Sequence, residues 1–251
     1  MSEAITLGSV GAVGSVVFAS AILQRAVGFG FALLAVPLLA FVVPTKSAVV
    51  IVFLNGTLTC AWLTLRLHRD AEWSTVRQLG AGALIGAPVG VVVLRFISAG
   101  VLRLILGVTI VTAATWIIVL TRVGGARPAG SRRLTTFTTG VISGVLNTAL
   151  ATNGPPLVYE LRRRGFSDDR FRATISSVFL ISNVIGLPLL VVAGLVSAYD
   201  VAYAAVSLLP LILGIAAGSW IGRRMAPGHF IITVDALLLA TGVLTVVKAL
   251  T

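Results

Sequence analysis

Apolar side chains fall in runs too long for strands and too continuous for the one-sided surface helices of a soluble domain. Unbroken runs occupy 47–65, 79–95, 103–121, 173–193, 201–222 and 230–250. Each approaches the roughly 20 residues an α-helix needs to cross about 30 Å of hydrocarbon. Two longer runs, 6–43 and 134–161, are interrupted, the first at Gly28-Phe29-Gly30 and the second at Asn153-Gly154-Pro155-Pro156. The pattern predicts an all-α polytopic membrane protein with six to eight membrane segments.

The order of these runs repeats. Residues 1–121 and 134–251 each begin with an interrupted segment and continue with three unbroken ones, and a Gly/Pro/Arg-rich stretch at 122–133 lies between them. An Asn sits inside the segment after each break (Asn55, Asn183), and a GxxxG lies in the next (Gly86/Gly90, Gly218/Gly222). The shared order predicts two homologous membrane repeats joined by a cytoplasmic linker. The small-residue spacings, with Gly8, Gly11 and Gly14 on the first segment, predict close helix packing rather than chemistry.

Composition strengthens the membrane reading. Of 251 residues, 57% are hydrophobic and 11% charged, where a soluble domain carries about 25% charged residues. Too few polar groups remain to coat a water-soluble globule. The single cysteine, Cys60, and two histidines offer no disulfide and no metal cluster. Nineteen Lys and Arg give a formal net charge of +11, read here as basic cytoplasmic loops rather than a nucleic-acid surface. Trp62, Trp73, Trp116 and Trp220 lie near segment ends, as interfacial aromatics do.

The basic residues also choose a topology. Eight full crossings divide them almost evenly between the two faces. If each interrupted segment instead enters and returns on one side, Lys46, Arg95, Arg103 and Lys248 stay on one face. Every other Lys and Arg except Arg25 then falls on the opposite one. The positive-inside rule prefers this re-entrant hairpin layout and makes that second face cytoplasmic. Each half then crosses an odd number of times, so the repeats are inverted and their hairpins approach from opposite faces.

Breaks in membrane helices are tolerated where they line a cavity, and transporters bind substrate at such places near the midplane. New helical arms starting at Phe31 and at Pro155 would aim two N-termini, each with about half a positive charge, at one central space. That is an anion site. The candidate substrate-binding residues are Arg25, Gly28, Gly30, Asn55, Asn153, Gly154, Pro155 and Asn183. Arg25 lies deep in an apolar run, where a cation is costly unless paired. Its alternative role is structural, by snorkelling or by pairing with Asp235, read as the one acid well inside a span. Asp235 is either that structural carboxylate or a coupling group. Gln24, Asn147, Thr148 and Thr152 read as interhelical glue or as further polar ligands. Nucleotide-binding motifs are missing: Gly28-Phe29-Gly30 continues to Leu33 rather than to glycine, and Lys46-Ser47 lacks the glycines of a phosphate loop. Transport is therefore expected to be secondary, with no cofactor. An intramembrane enzyme, built on Ser143 with His68 or His229, and a passive channel are the competing readings.

The stretch Gly28-Phe29-Gly30-Phe31-Ala32-Leu33-Leu34-Ala35-Val36-Pro37-Leu38-Leu39, followed by Ala48 and Asn55, resembles the first signature of the TauE/SafE family of sulfite exporters. That family is also called the toluene sulfonate uptake permease family. Gly140 to Pro156, with the basic loop and Ala173 after it, resembles the second signature. The resemblance implies a multi-pass carrier of the cytoplasmic membrane for sulfite, sulfonates or related organic anions. Direction follows from energy: a monoanion gains about 2.3 kcal/mol per 100 mV on leaving an inside-negative cell, so export can run unassisted.

Overall fold

The computed structural model describes residues 6–122, 133–166 and 168–224, together with the single positions 242, 245 and 247. The 230–250 run, Asp235 and most of the linker lie outside the described residues. Ten α-helices and no strand occur among the described residues: α1 (Leu7–Val27), α2 (Phe31–Leu39), α3 (Thr45–Leu67), α4 (Trp73–Phe96), α5 (Ala99–Arg122), α6 (Arg133–Leu150), α7 (Gly154–Arg163), α8 (Asp168–Val192), α9 (Ala198–Val206) and α10 (Leu208–Arg224). Local chemistry sets several starts. Thr6 and Ser9 form a capping box at α1, and Ser197 and Asp200 form one at α9.

Within this set α1, α3, α4 and α8 are long and apolar enough to cross a membrane, and α9 with α10 makes a fifth span if the bent pair is one crossing. The expected unbroken helix over 201–222 is thus corrected: the chain bends by 43° at Ser207. Pro210 supplies part of the reason, since a continuous helix would set its ring against the Val206 carbonyl and leave that carbonyl without a donor. Proline alone does not force a break, because Pro88 and Pro188 sit inside α4 and α8. Here the Ser207 hydroxyl also donates back to the Tyr203 and Ala204 carbonyls, at 2.8 and 3.0 Å, which stabilises the bend.

The first interrupted segment breaks at Gly28 to Gly30 as expected, while the second opens earlier than the sequence places it, at residues 151–153, with Gly154 to Pro156 already in the first turn of α7. Gly28 and Gly30 adopt φ of +91° and +105°, the left-handed region that glycine enters at least cost. At the second break Ala151 takes φ +53°, a conformation costing an alanine on the order of 1 kcal/mol. The arms that follow are short. Nine residues of α2 and ten of α7 extend about 14 and 15 Å, half the hydrocarbon thickness.

Hydrogen bonds tie the helix ends into two groups. Thr136 at the start of α6 donates to Glu160 near the end of α7 (2.8 Å), and Arg163 donates to Thr135 (3.3 Å). The second interrupted element therefore begins and ends at one level. Arg164 joins it to Thr75 of α4 (2.8 Å), and Glu72 pairs with Arg170 of α8. This end carries Arg66, Arg69, Arg77, Arg133, Arg162, Arg163, Arg164, Arg170 and Arg172. At the opposite end Lys46 donates to the Arg95 carbonyl (2.9 Å) and Arg103 to Thr45 (2.8 Å). At its C-terminal end α1 meets α3 close to the arginine-rich end: Gln24 donates to Cys60 Sγ (3.3 Å) and Arg25 lies over the Trp62 ring.

Glu160, near the end of α7, and Asp200, in the first turn of α9, are buried at 1% and 2% exposure. Glu160 accepts from both Thr136 and Arg164. Glu160→Gln weakens the charge-assisted part of that cluster, and a loss of about 2 kcal/mol, read as a lower thermal midpoint of the detergent-solubilised protein, is expected.

Helix pairing is close where glycines allow it. The broadest interface joins α4 to α6, followed by α1 with α10; α3 also packs along α8. Gly82, Gly86 and Gly90 of α4 press on backbone of α6, and Gly140 and Gly144 of α6 press on Leu79 and Ala83 of α4. Gly214 and Gly218 of α10 meet the Phe18 and Ile22 carbonyls of α1. The packing role expected for Gly86, Gly90 and Gly218 holds, whereas Gly8 and Gly11 face open space.

Candidate functional site

Both breaks open onto one cavity. Its wall takes Gln24 from α1, Gly30, Phe31, Ala32 and Leu33 from the start of α2, and Val52, Phe53, Gly56 and Cys60 from α3. The other side supplies Asn147 and Ala151 to Gly154 from the second break, with Phe179 and Asn183 from α8. The space open to the centres of water-sized molecules is about 40 Å³, room for about three waters at roughly 10–15 Å³ each. An ion of one sulfur and three oxygens is of that order.

The polar groups facing this space are amides and helix ends. Leu34 N is the first α2 amide to bond within the helix, to Gly30 O at 3.2 Å. The N–H groups of Phe31, Ala32 and Leu33 therefore precede the ladder, and all three residues line the cavity. Across from them is Asn153, at the N-cap position of α7. Its side chain makes no capping bond and is 5% exposed, and its Nδ2 has no hydrogen-bond partner among the described residues. A buried amide donor left unpaired costs about 1–3 kcal/mol, so the cavity holds a donor that a ligand can satisfy. Asn147 Nδ2 donates to Asn183 Oδ1 at 2.9 Å, fixing those two amides against each other. Pro155 and Pro156 fill the first turn of α7 and carry no N–H, so α7 presents fewer backbone donors than α2.

Of the residues singled out from sequence, the fold brings Gly30, Asn153, Gly154 and Asn183 together on the cavity wall. Gly28 shapes the first turn, and its Cα lies close against the Arg172 side chain. Pro155 opens α7 beside the wall. Arg25 lies outside the lining: its Nε donates to Ser219 of α10 (2.9 Å), and its guanidinium lies 5.6 Å from the Trp62 ring centroid. Asn55 is fully buried but faces the bend between α9 and α10, donating to Ser207 Oγ at 2.9 Å. Helical phase explains the difference. Val52, Phe53, Gly56 and Cys60 share one face of α3, and Asn55 points off it.

Gln24 stands four residues before the Gly28 break, a spacing visible in the sequence, whereas Asn147 stands four residues before Ala151, where only the structure places the second break. Cys60, Phe31 and Phe179 carried no comparable signal. Toward the arginine-rich end the wall is backed by aromatic rings. Phe29 stands beside Gly154 and meets Phe171 edge-to-face at 6.2 Å, and Arg162 lies 4.6 Å over Phe171. Phe171→Ala is expected to thin this cover and speed reaction of Cys60 with a membrane-impermeant thiol reagent several-fold from that end, measured in vesicles of both orientations.

A comparison with known families matches the description "Sulfite exporter TauE/SafE" over residues 13–245. The chain belongs to the TauE/SafE family. A curated relative from Cupriavidus necator, named "Probable sulfite/organosulfonate exporter TauE", is 27% identical over 171 residues. The aligned part covers 64% of this chain and 64% of that protein, so the chain spans just under two thirds of the relative's length. No solved structure matches the chain. The two stretches resembling TauE/SafE signatures fold into the cavity's two breaks: Gly28 to Leu39 makes the first turn and α2, and Gly140 to Pro156 makes the inner part of α6 and the start of α7.

Proposed function

We propose that this TauE/SafE chain is a secondary transporter that exports small sulfur-containing or organic anions through a multi-pass fold in the cytoplasmic membrane. The observation that carries the reading is Asn153, whose Nδ2 is a buried donor without a partner among the described residues, on the wall of a cavity that also takes in the first turn of α2. Helix N-termini and amide donors of this kind bind anions. Gly30, Asn153, Gly154 and Asn183 are the proposed ligands, with Gln24 and Asn147 beside them. Gly28 and Pro155 shape the two tips. Arg25 and Asn55 hold helices around the cavity, and Asp235 is the candidate coupling group.

Residues 1–121 and 134–251 are proposed to be inverted repeats joined by a cytoplasmic linker at 122–133. The helix pairings support this. Exchanging the halves turns α1 against α10 into α6 against α4, and leaves α3 against α8 in place. The end contacts support opposite approach: α6 and α7 meet at the arginine-rich end, while α1 reaches the same end only at its C-terminus before α2 turns back. The positive-inside rule makes the arginine-rich end cytoplasmic. Alternating access then consists of opening the cavity to each end in turn. The enzyme reading finds no support at Ser143, whose buried hydroxyl has no hydrogen-bond partner among the described residues, while His68 is held at the Leu65 carbonyl and His229 lies outside the described residues.

Purified protein in liposomes loaded with labelled sulfite tests the proposal. Outward flux above protein-free liposomes is expected, rising as an inside-negative potential is imposed, since each 100 mV contributes about 2.3 kcal/mol to a leaving monoanion. Absence of flux for sulfite and for small sulfonates would overturn it.

A further inference from the structure

We infer that the cavity is built for one negative charge, so that it carries hydrogen sulfite or a sulfonate and rejects sulfite or sulfate as dianions. This deepens the transport reading and rests on it. Among the described residues no charged side chain lines the cavity; Cys60 is the one titratable group there. Several arginines stand around it. Arg25 bonds Ser219, Arg172 lies behind Gly28, and Arg164 is at the far end of α7 with Glu160, Thr75 and Thr136.

The positive potential therefore comes from the ends of α2 and α7. Each helix N-terminus is worth about half an elementary charge, so the two together supply about one. Asn153, whose Nδ2 is an uncharged donor with no hydrogen-bond partner among the described residues, lines the same space. Attraction to this fixed potential grows in proportion to the ion's charge. The cost of taking the ion out of water grows as the square of its charge, about fourfold from monoanion to dianion. A pocket with two or more full cations could offset that difference. About one unit of fixed charge from helix ends, with uncharged amides, offsets much less of it, and discrimination by protonation state follows.

The test uses the intact protein in proteoliposomes and three probes: labelled sulfite, methanesulfonate and sulfate. Rates are measured at fixed total concentration across the second ionisation of sulfurous acid, near neutral pH. Methanesulfonate is singly charged throughout and reports any titration of the protein itself. Sulfite flux is expected to fall about tenfold per pH unit on the alkaline side, as the monoanion fraction does. Methanesulfonate flux should stay level, and excess sulfate should neither move nor compete. Sulfite flux that holds or rises with pH against a level methanesulfonate control overturns the inference while transport stands. So does competition by sulfate on a par with methanesulfonate. If none of the three moves, the transport reading itself fails and takes the inference with it.

Discussion

Asn153→Asp is expected to abolish anion flux while leaving the protein folded. The substitution keeps the size of the side chain and replaces a buried, unpartnered donor with a carboxylate. At about 4 Å from a bound anion, repulsion between two unit charges is about 4 kcal/mol at an effective dielectric constant of 20. That corresponds to a loss in affinity of roughly a thousandfold. Asn153→Ala removes only a donor to a charged ligand, about 1.5–3 kcal/mol, and should lower affinity by roughly ten- to a hundredfold. Sulfite flux and sulfite protection of Cys60 from alkylation, measured on both variants, check the order. Equal and small effects would show that Asn153 does not touch the cargo.

The second large effect concerns the fold. At Gly86, any Cβ runs into the Val141 carbonyl of α6. Neither partner can yield, because both are helix backbone. Gly86→Ile is therefore expected to exceed the usual 1–3 kcal/mol of overpacking and to separate α4 from α6 along their broadest interface. The measurement is the monodisperse fraction after solubilisation and size-exclusion chromatography, which should be largely lost. Gly100→Ala is the control: nothing lies within 4 Å of its added Cβ, and near-normal recovery is expected.

Much of this architecture follows from one-dimensional pattern. The long apolar runs became α3, α4 and α8, and the glycines at 28 and 30 became the first break, because helix length and left-handed backbone are local properties. What escaped the sequence depends on direction around a helix and on distant partners. Asn55 and Asn183 occupy matching places along the chain, yet Asn183 faces the cavity and Asn55 faces Ser207. Arg25 is a costly cation in an apolar run, and its solution is Ser219, 194 residues away, which no local pattern discloses. The bend at Ser207 needed a proline three residues on and a hydroxyl turned back to the preceding carbonyls. Glu160, in the tail of the 134–161 run, carries no distinguishing signal in the sequence, because the Thr136 and Arg164 groups that enclose it meet it only in the fold.

The tips of the two interrupted elements are unequal. Three consecutive residues of the first turn of α2 line the cavity with unbonded amides, while in α7 prolines occupy two of the corresponding places. On the proposed transport reading, cargo is therefore held off-centre, by main chain on one side and by the Asn153 amide on the other. The proposed rocking motion that swaps the two sides then does not arrive at its own mirror image, and it starts from a resting orientation biased by the chain before any gradient acts. Position 153 is also where substitution can retune the grip without rebuilding the backbone.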